Sequence, residues 1–301
     1  MKSISLKSAA ILLFALLPLT VMAIDIGGFG AMIGGGSDDE QEGVNLDLNQ
    51  IFEGAKDIGR TVSGISEEEE IEIGRNAAAV LLGASKPVDD VALQRYVNKI
   101  GRWVVSQTER PDLPWHFCVL DSSHLNAFAA PGGYVFITKG LLDTMSSESE
   151  LAAVLAHESA HVLQKHHVKA MTNFSNSGVS GLLKLASQTQ GAQGNFMATE
   201  LVKEVKEMYL RGLDKDDEYE ADRMGVIIAA RAGYDPFGLA TVLQTLDSIN
   251  PDDETVSLLF KTHPSPQARI TELEPVLITL DDTGAQPQLN NRFIASTTTP
   301  E

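Results

Sequence analysis

The stretch LAAVLAHESAHVLQKHH, Leu151 to His167, decides how the rest of this sequence is read. It sets His157 and His161 four residues apart, with Glu158 beside the first, inside a run of alanine, leucine and valine. Imidazoles and a carboxylate are costly to bury unless something pairs with them, so the rest of the chain must supply a partner. Just upstream, Ser147 and Glu150 form the S-x-x-E pattern of a helix N-terminus. At about 100° per residue the two histidines fall about 40° apart, on one face of that helix. Leu151, Leu155, Val162 and the alanines at 152, 153, 156 and 160 cover its other faces. This predicts a helix buried nearly all round, with small residues that admit close neighbours.

Two imidazoles on one face of a buried helix can hold one zinc ion through ring nitrogens. Glu158, turned slightly aside, can reach a water without ligating, which is the H-E-x-x-H arrangement of zinc peptidases. Chance occurrence in a chain of this size is on the order of one in a hundred. The competing explanation is a core helix with two hydrogen-bonded histidines and a surface glutamate. A catalytic zinc needs a third protein ligand, and DDEYEADRMG (216–225) offers candidates. Glu218 and Asp222 share a helix face, whereas Glu220 points elsewhere. One carboxylate would ligate and the other would orient a ligand histidine. Spacing leaves open which does which, and a solvated acidic helix start would also explain the pair.

Outward from these motifs, the spacing predicts a helix from Ser66, capped with Glu69, to about Leu82. A second follows over DDVALQRYVNKIGRWVV, with Val91, Tyr96, Val97, Ile100 and Val104 as its apolar stripe. WHFCVLD and YVFIT read as strands. Pro131-Gly132-Gly133 is a turn signal that pairs Asn126–Ala130 with Tyr134–Thr138 as a hairpin. Residues 172–198 read as a loop or irregular helix. Helices are expected over Asp217–Ala232, stopped by Gly233, then over PFGLATVLQTLDSI, and last from HPSPQARITELEPVL. Trp103 and Trp115 read as core anchors, Cys118 as a small core residue, and His116 and His124 as structural. His166 and His167 read as groups supporting the site or lying on the surface. The fold class expected is α+β, mainly helical, with a small sheet beside the H-E-x-x-H helix.

A formal net charge of -18 and no Lys/Arg cluster argue against nucleic acid as a partner. With one cysteine, no intrachain disulfide can form. Lys2 and Lys7 precede AAILLFALLPLTVMA, which ends in Val21-Met22-Ala23 and is interrupted by Pro18. The run is shorter than the roughly 20 residues of a spanning helix and reads as a cleaved secretory signal, residues 1–23. No cysteine follows it, so no lipoprotein attachment is expected, and the periplasm is the expected location. Residues 24–65, Gly-rich then acidic, read as a flexible leader with a short helix around Leu46–Ala55. Residues 66–280 form the expected catalytic domain, and 281–301 are expected to be a disordered tail.

HESAH, then EYEAD, then THPSPQARI, with NAFAAPGGYVFITKGLL before them, resemble the gluzincin peptidases of the HtpX and CAAX prenyl protease family. The likeness covers about residues 66–275 and is greatest to the soluble periplasmic branch of BepA and LoiP type. The tetratricopeptide repeats that follow the peptidase domain in the BepA type are not expected here. The resemblance implies that Glu218 ligates one zinc ion together with His157 and His161. It implies that Glu158 is the general base and that Asp222 orients a ligand histidine. It places His263 where a histidine can take the fourth position and hold the enzyme latent. Arg269 would bind a carboxylate or the developing oxyanion, or form a structural salt bridge. Asn126, Ala127, Phe128, Ala129 and Ala130 would present a sheet edge to an extended polypeptide substrate. Unfolded or misassembled envelope proteins are the expected substrates, with the outer-membrane assembly machinery as a partner. The alternative is a periplasmic binding or chaperone module with a plugged or structural zinc site.

Overall fold

The computed structural model of the protein describes residues 66–174, 206–207, 209–281 and 287–298. The expected signal, leader and short leader helix, and most of 172–198, lie outside the described residues. The chain opens with α1 (Glu67–Ala84) and α2 (Val91–Val105), then β1 (His116–Leu120), β2 (Ala127–Ala130) and β3 (Tyr134–Thr138). After them come α3 (Lys139–Thr144), α4 (Glu148–Leu163) and α5 (His166–Phe174). The described chain ends with α6 (Lys215–Arg231), α7 (Gly238–Asp247), α8 (Ser257–Thr262), α9 (Pro266–Asp281) and α10 (Asn290–Thr297). It is the expected α+β, mainly helical, arrangement.

The sheet has the order β1-β3-β2. β3 pairs parallel to β1 (Phe117↔Val135) and antiparallel to β2 (Phe128↔Phe136). The β2–β3 hairpin turns at Pro131-Gly132-Gly133, as the sequence predicts, and β2 lies at the sheet edge. The strand proper begins at Ala127 rather than Asn126. Asn126 sits just before it, its carbonyl accepting from the Thr138 N–H at 3.0 Å.

Helix α4 runs through the core, and every residue from Glu148 to Val162 is buried. Its start is fixed as the sequence predicts. Ser147 Oγ accepts from the Glu150 N–H at 3.2 Å, and the Glu150 carboxylate returns to the Ser147 hydroxyl at 2.9 Å and the Ser146 N–H at 3.1 Å. Helix α6 packs along α4. The approach is close because Gly225 faces the His157 backbone: a Cβ there would lie 2.9 Å from His157 Cα. Helix α6 ends in a Schellman turn, with Gly233 N–H on Ala230 O and Tyr234 N–H on Ala229 O, at 2.9 and 3.0 Å. One hydrophobic core joins α2, the sheet, α4, α6, α7 and α9.

Three expectations are corrected. Trp103 is not a core anchor: it is 52% exposed, and its indole N–H donates to Ala232 O at 2.8 Å. The α2 stripe shifts by a fraction of a turn, so that Leu93 and Val105 are buried and Val91 lies at the surface. The tail is not without structure, because α10 follows α9. Phe293 enters the core, which is worth about 2 kcal/mol for a side chain of that kind. The segment before α10 accepts from the first turn of α4: Ser149 N–H reaches Gln288 O at 3.2 Å, and its hydroxyl reaches Pro287 O at 2.9 Å. Those acceptors satisfy donors that a helix start leaves free.

Candidate metal centre

Helix α4 carries His157 and His161 on one face, and α6 carries Glu218 and Asp222 on the face turned toward them. The two Nε2 atoms lie 3.1 Å apart. Glu218 Oε2 lies 3.8 Å from His157 Nε2, and Glu218 Oε1 lies 3.6 Å from His161 Nε2. One donor atom from each of the three residues falls within 4.8 Å of the others, and all three side chains are buried.

The remaining nitrogens of both imidazoles are engaged elsewhere. His157 Nδ1 donates to Asp222 Oδ1 at 2.9 Å, and His161 Nδ1 lies 2.9 Å from His166 Nδ1. Arg269 also holds Asp222, through Nε to Oδ2 at 2.9 Å and a terminal nitrogen to Oδ1 at 2.5 Å, the same nitrogen lying 3.4 Å from His157 Nδ1. Of the uses the sequence leaves open for Arg269, the structure shows a buried salt bridge with Asp222.

Charge in this cluster follows from burial and from Arg269. Burial pushes the Glu218 carboxyl up to about 8, and Asp222 and Glu158 add to the rise. Burial likewise raises the Glu158 carboxyl to about 8. Asp222 goes the other way: burial opposes its charge, but the Arg269 guanidinium and the His157 N–H hold it well below the usual carboxylate range. Burial lowers His157 and His161, so both rings are neutral and each can offer a lone pair.

These residues fit a divalent metal. Two nitrogens at about 2.0–2.1 Å from one tetrahedral ion lie about 3.3 Å apart, close to the separation seen. Glu218 Oε2 is buried with no hydrogen-bond partner among the described residues, a costly state for a carboxylate oxygen that a cation would relieve. Neutral imidazoles with a carboxylate are a zinc donor set.

His263, at the end of α8, turns Nε2 toward the same oxygen, 3.6 Å from Glu218 Oε2. Its Nδ1 lies 2.9 Å from Thr262 Oγ1 and 3.3 Å from Leu259 O, so its proton belongs there and the Nε2 lone pair faces the cluster. Burial, then Arg269, lowers it to about 3, so it too is neutral. Glu158 lines the cavity beside the cluster together with Ala127, Phe128 and Ala129 of β2. The pairing alternation turns the peptide groups of Ala127 and Ala129 outward, away from β3. Two of these groups have partners: Tyr209 donates its hydroxyl to Ala129 O at 2.8 Å, and the Ala127 N–H reaches the Asn126 side chain at 2.9 Å.

The structure brings His157, Glu158, His161, Glu218, Asp222, His263 and Arg269 together, with Asn126 just before β2; Tyr209, which periodicity did not single out, joins them, as does His166, which the sequence places either in support of the site or at the surface. Tyr209 packs edge-on to Phe128, the rings 6.1 Å apart, in a segment with no motif. His166 reaches back to His161 because Lys165 adopts a left-handed φ of 57° and reverses the chain just past α4. An unusual residue in that conformation leaves no trace in a helical periodicity. His116 stacks on Tyr134, and neither it nor His124 is a donor of the cluster.

Two helices that bring two histidines and a glutamate together, with a second buried carboxyl beside them, have the form of a metalloprotease site, and sequence comparison agrees. A model of peptidase family M48 matches residues 92–276. The beta-barrel assembly-enhancing protease of Escherichia coli strain K12 is 30% identical over 224 residues, which are 72% of this chain and 45% of that protein. The mitochondrial metalloendopeptidase OMA1 of Schizosaccharomyces pombe is 30% identical over 179 residues, 60% of this chain and 51% of its own. A protease HtpX homolog of Salinibacter ruber is 29% identical over 196 residues, 55% and 69% of the two chains. The chain belongs to peptidase family M48. It spans about half the length of the Escherichia coli and Schizosaccharomyces pombe proteins.

Proposed function

We propose that this protein is a zinc-dependent endopeptidase that hydrolyses peptide bonds in unfolded or misassembled envelope proteins. The carrying observation is that donor atoms of His157, His161 and Glu218, from two helices, lie within 4.8 Å of one another, with Glu218 Oε2 buried and without a hydrogen-bond partner among the described residues. His157, His161 and Glu218 would hold the zinc, which when bound would lower the pKa of water toward about 7 and polarise the scissile carbonyl. Asp222, fixed by Arg269, keeps the His157 proton on Nδ1 and so keeps its Nε2 available. Glu158 takes a proton from the attacking water and returns it to the leaving amine. Its carboxyl, raised by burial to about 8, lies in the range where a carboxylate exchanges protons near neutrality. The substrate lies as an added strand along β2, its N–H replacing the Tyr209 hydroxyl at Ala129 O.

The domain is zincin-like, and the periplasm is its compartment. Among the described residues no helix is long and apolar enough to cross a membrane. The name of the Escherichia coli relative supports envelope proteins and the outer-membrane assembly machinery as substrates and partner.

His263 favours a second reading, because its Nε2 faces the same oxygen as the zinc ligands do. As a fourth ligand it would hold the enzyme latent, or leave a binding or chaperone module with a plugged site. Casein cleavage by wild type and His263→Ala, with and without a chelator, separates these readings. Chelator-sensitive cleavage by wild type supports the endopeptidase. Cleavage only after His263→Ala supports latency, and no cleavage by either form rejects the endopeptidase in favour of the binding module.

A further inference from the structure

His166 takes no part in the chemistry above, yet it is buried against the centre, its Nδ1 2.9 Å from His161 Nδ1. Its Nε2 faces Asp217 Oδ1 at 3.8 Å and Glu220 Oε2 at 3.6 Å. Taken alone, His166, Asp217 and Glu220 could be a second metal site, since their donor atoms lie within 4.8 Å of one another. Proton counting argues otherwise. A neutral imidazole carries one N–H. His161 can turn an Nε2 lone pair to the centre only if its proton sits on Nδ1. That proton then lies between the two rings, with His166 Nδ1 as acceptor. The proton of His166 is thereby on Nε2, where an N–H meets the two carboxylates and no lone pair is left for a metal.

The reverse assignment closes the first site. A metal on His166 Nε2 would move the His166 proton to Nδ1, make His161 Nδ1 the acceptor, and put the His161 proton on Nε2. Two neutral imidazoles joined in this way can serve one metal, not two. Asp217 Oδ1 also already holds the Lys169 ammonium at 2.6 Å.

We propose that His166 is the positioning residue of His161. It accepts the His161 Nδ1 proton and so fixes the ring and tautomer that present Nε2 to the metal. Asp217 Oδ1 and Glu220 Oε2, 3.8 and 3.6 Å from His166 Nε2, favour a proton there by their charge. This inference rests on the zinc reading above. His166 does for His161 what Asp222 does for His157 at the same 2.9 Å. The backbone supports it. Lys165 takes a left-handed φ of 57°, costly for a residue with a Cβ, and that reversal brings His166 back onto the α4 face.

The test measures zinc affinity of the full-length chain by competition with a chromophoric chelator, together with zinc stoichiometry and the kinetics of casein cleavage. His166→Ala and His166→Leu are expected to bind zinc about 10- to 100-fold more weakly, and to lower kcat more than they raise KM. His166→Gln, whose side-chain carbonyl can accept the same N–H, should recover most of the affinity. Leucine fills comparable space without an acceptor, so the Gln–Leu difference separates positioning from packing. Thermal melts of the zinc-free variants identify any form that fails to fold. Equal affinities for the Gln and Leu variants would overturn the proposal. So would a wild type that binds two zinc ions while His166→Ala loses only the second. A folded wild type that binds no zinc would overturn the metal-centre reading beneath it, which is a distinct outcome.

Discussion

Of the three glutamates that helix α4 buries, Glu148 in its first turn and Glu158 farther along are treated in opposite ways. Glu148, in the first turn, is fully buried and fully partnered. It accepts from Tyr96 and Tyr234 hydroxyls at 2.8 Å each, and from Arg292 of α10 through Nε at 2.5 Å. Burial would raise its pKa, but Arg292 and the two phenols hold it below the ordinary value. Glu158 is also buried, but burial prevails there and lifts the carboxyl to about 8. Helix and residue type are shared; Glu158 lies deeper within protein with only the charge of Arg269 to oppose its burial, whereas Glu148 has Arg292 and two phenols, so depth and donors decide together. A carboxylate given three donors is a stable anion that anchors other elements. One left without them stays poised to exchange a proton, and in a cleft it marks function.

The sharpest way to break this comparison is to exchange each glutamate in turn. Glu158→Gln keeps the shape and removes the proton acceptor. It should lower kcat on casein by about 10²–10⁴-fold, with the zinc content and urea midpoint of wild type. Retained cleavage would remove Glu158 from the chemistry. Glu148→Ala should do the reverse. It leaves two phenol hydroxyls and a guanidinium without their acceptor and should cost about 3 kcal/mol of stability, read from urea unfolding. Its zinc affinity should stay near that of wild type. If it lost zinc before it lost stability, the two ends of the helix would not be independent.

The same contrast explains what the sequence made legible. The H-E-x-x-H helix could be read because its cap, its alanines and its histidine spacing all lie within one local segment. Glu218 and Asp222 could be placed on one face for the same reason, although spacing left the division of roles between them open and only the family resemblance assigned it; the structure adds the 2.9 Å contact of Asp222 with His157. Glu148 was hidden, because its partners Tyr96, Tyr234 and Arg292 come from three distant parts of the chain, 52, 86 and 144 residues away. For that reason too α10 read as tail: one buried Phe293 and one ion pair hold it, and neither gives a periodic signal. Trp103 was misread because residue type alone does not say which helix face meets the core. His166 was legible as a neighbour of the site or a surface group, but its contact with His161 depended on the backbone reversal at Lys165, a conformation that side-chain patterns do not encode.

The smallest expected effect tests how the partnered end is divided among its donors. The Arg292 side chain is 57% exposed, so in Arg292→Met the lost guanidinium was already largely solvated, while both phenols remain on Glu148. The cost near neutral pH should be about 1 kcal/mol, well below that of Glu148→Ala. The acid limb gives the sign. Because the folded-state pKa of Glu148 is depressed, its contribution is present above the unfolded value of about 4.3 and is lost as pH falls through the lower folded value. Removing Arg292 brings the two values closer, so the variant should lose less stability than wild type between about pH 5 and pH 3. Urea midpoints across that range measure it. Parallel acid limbs for wild type and Arg292→Met would show that the two tyrosines alone hold the charge. An Arg292→Met cost equal to that of Glu148→Ala would show instead that docking of α10 depends on this one ion pair, with Phe293 adding little.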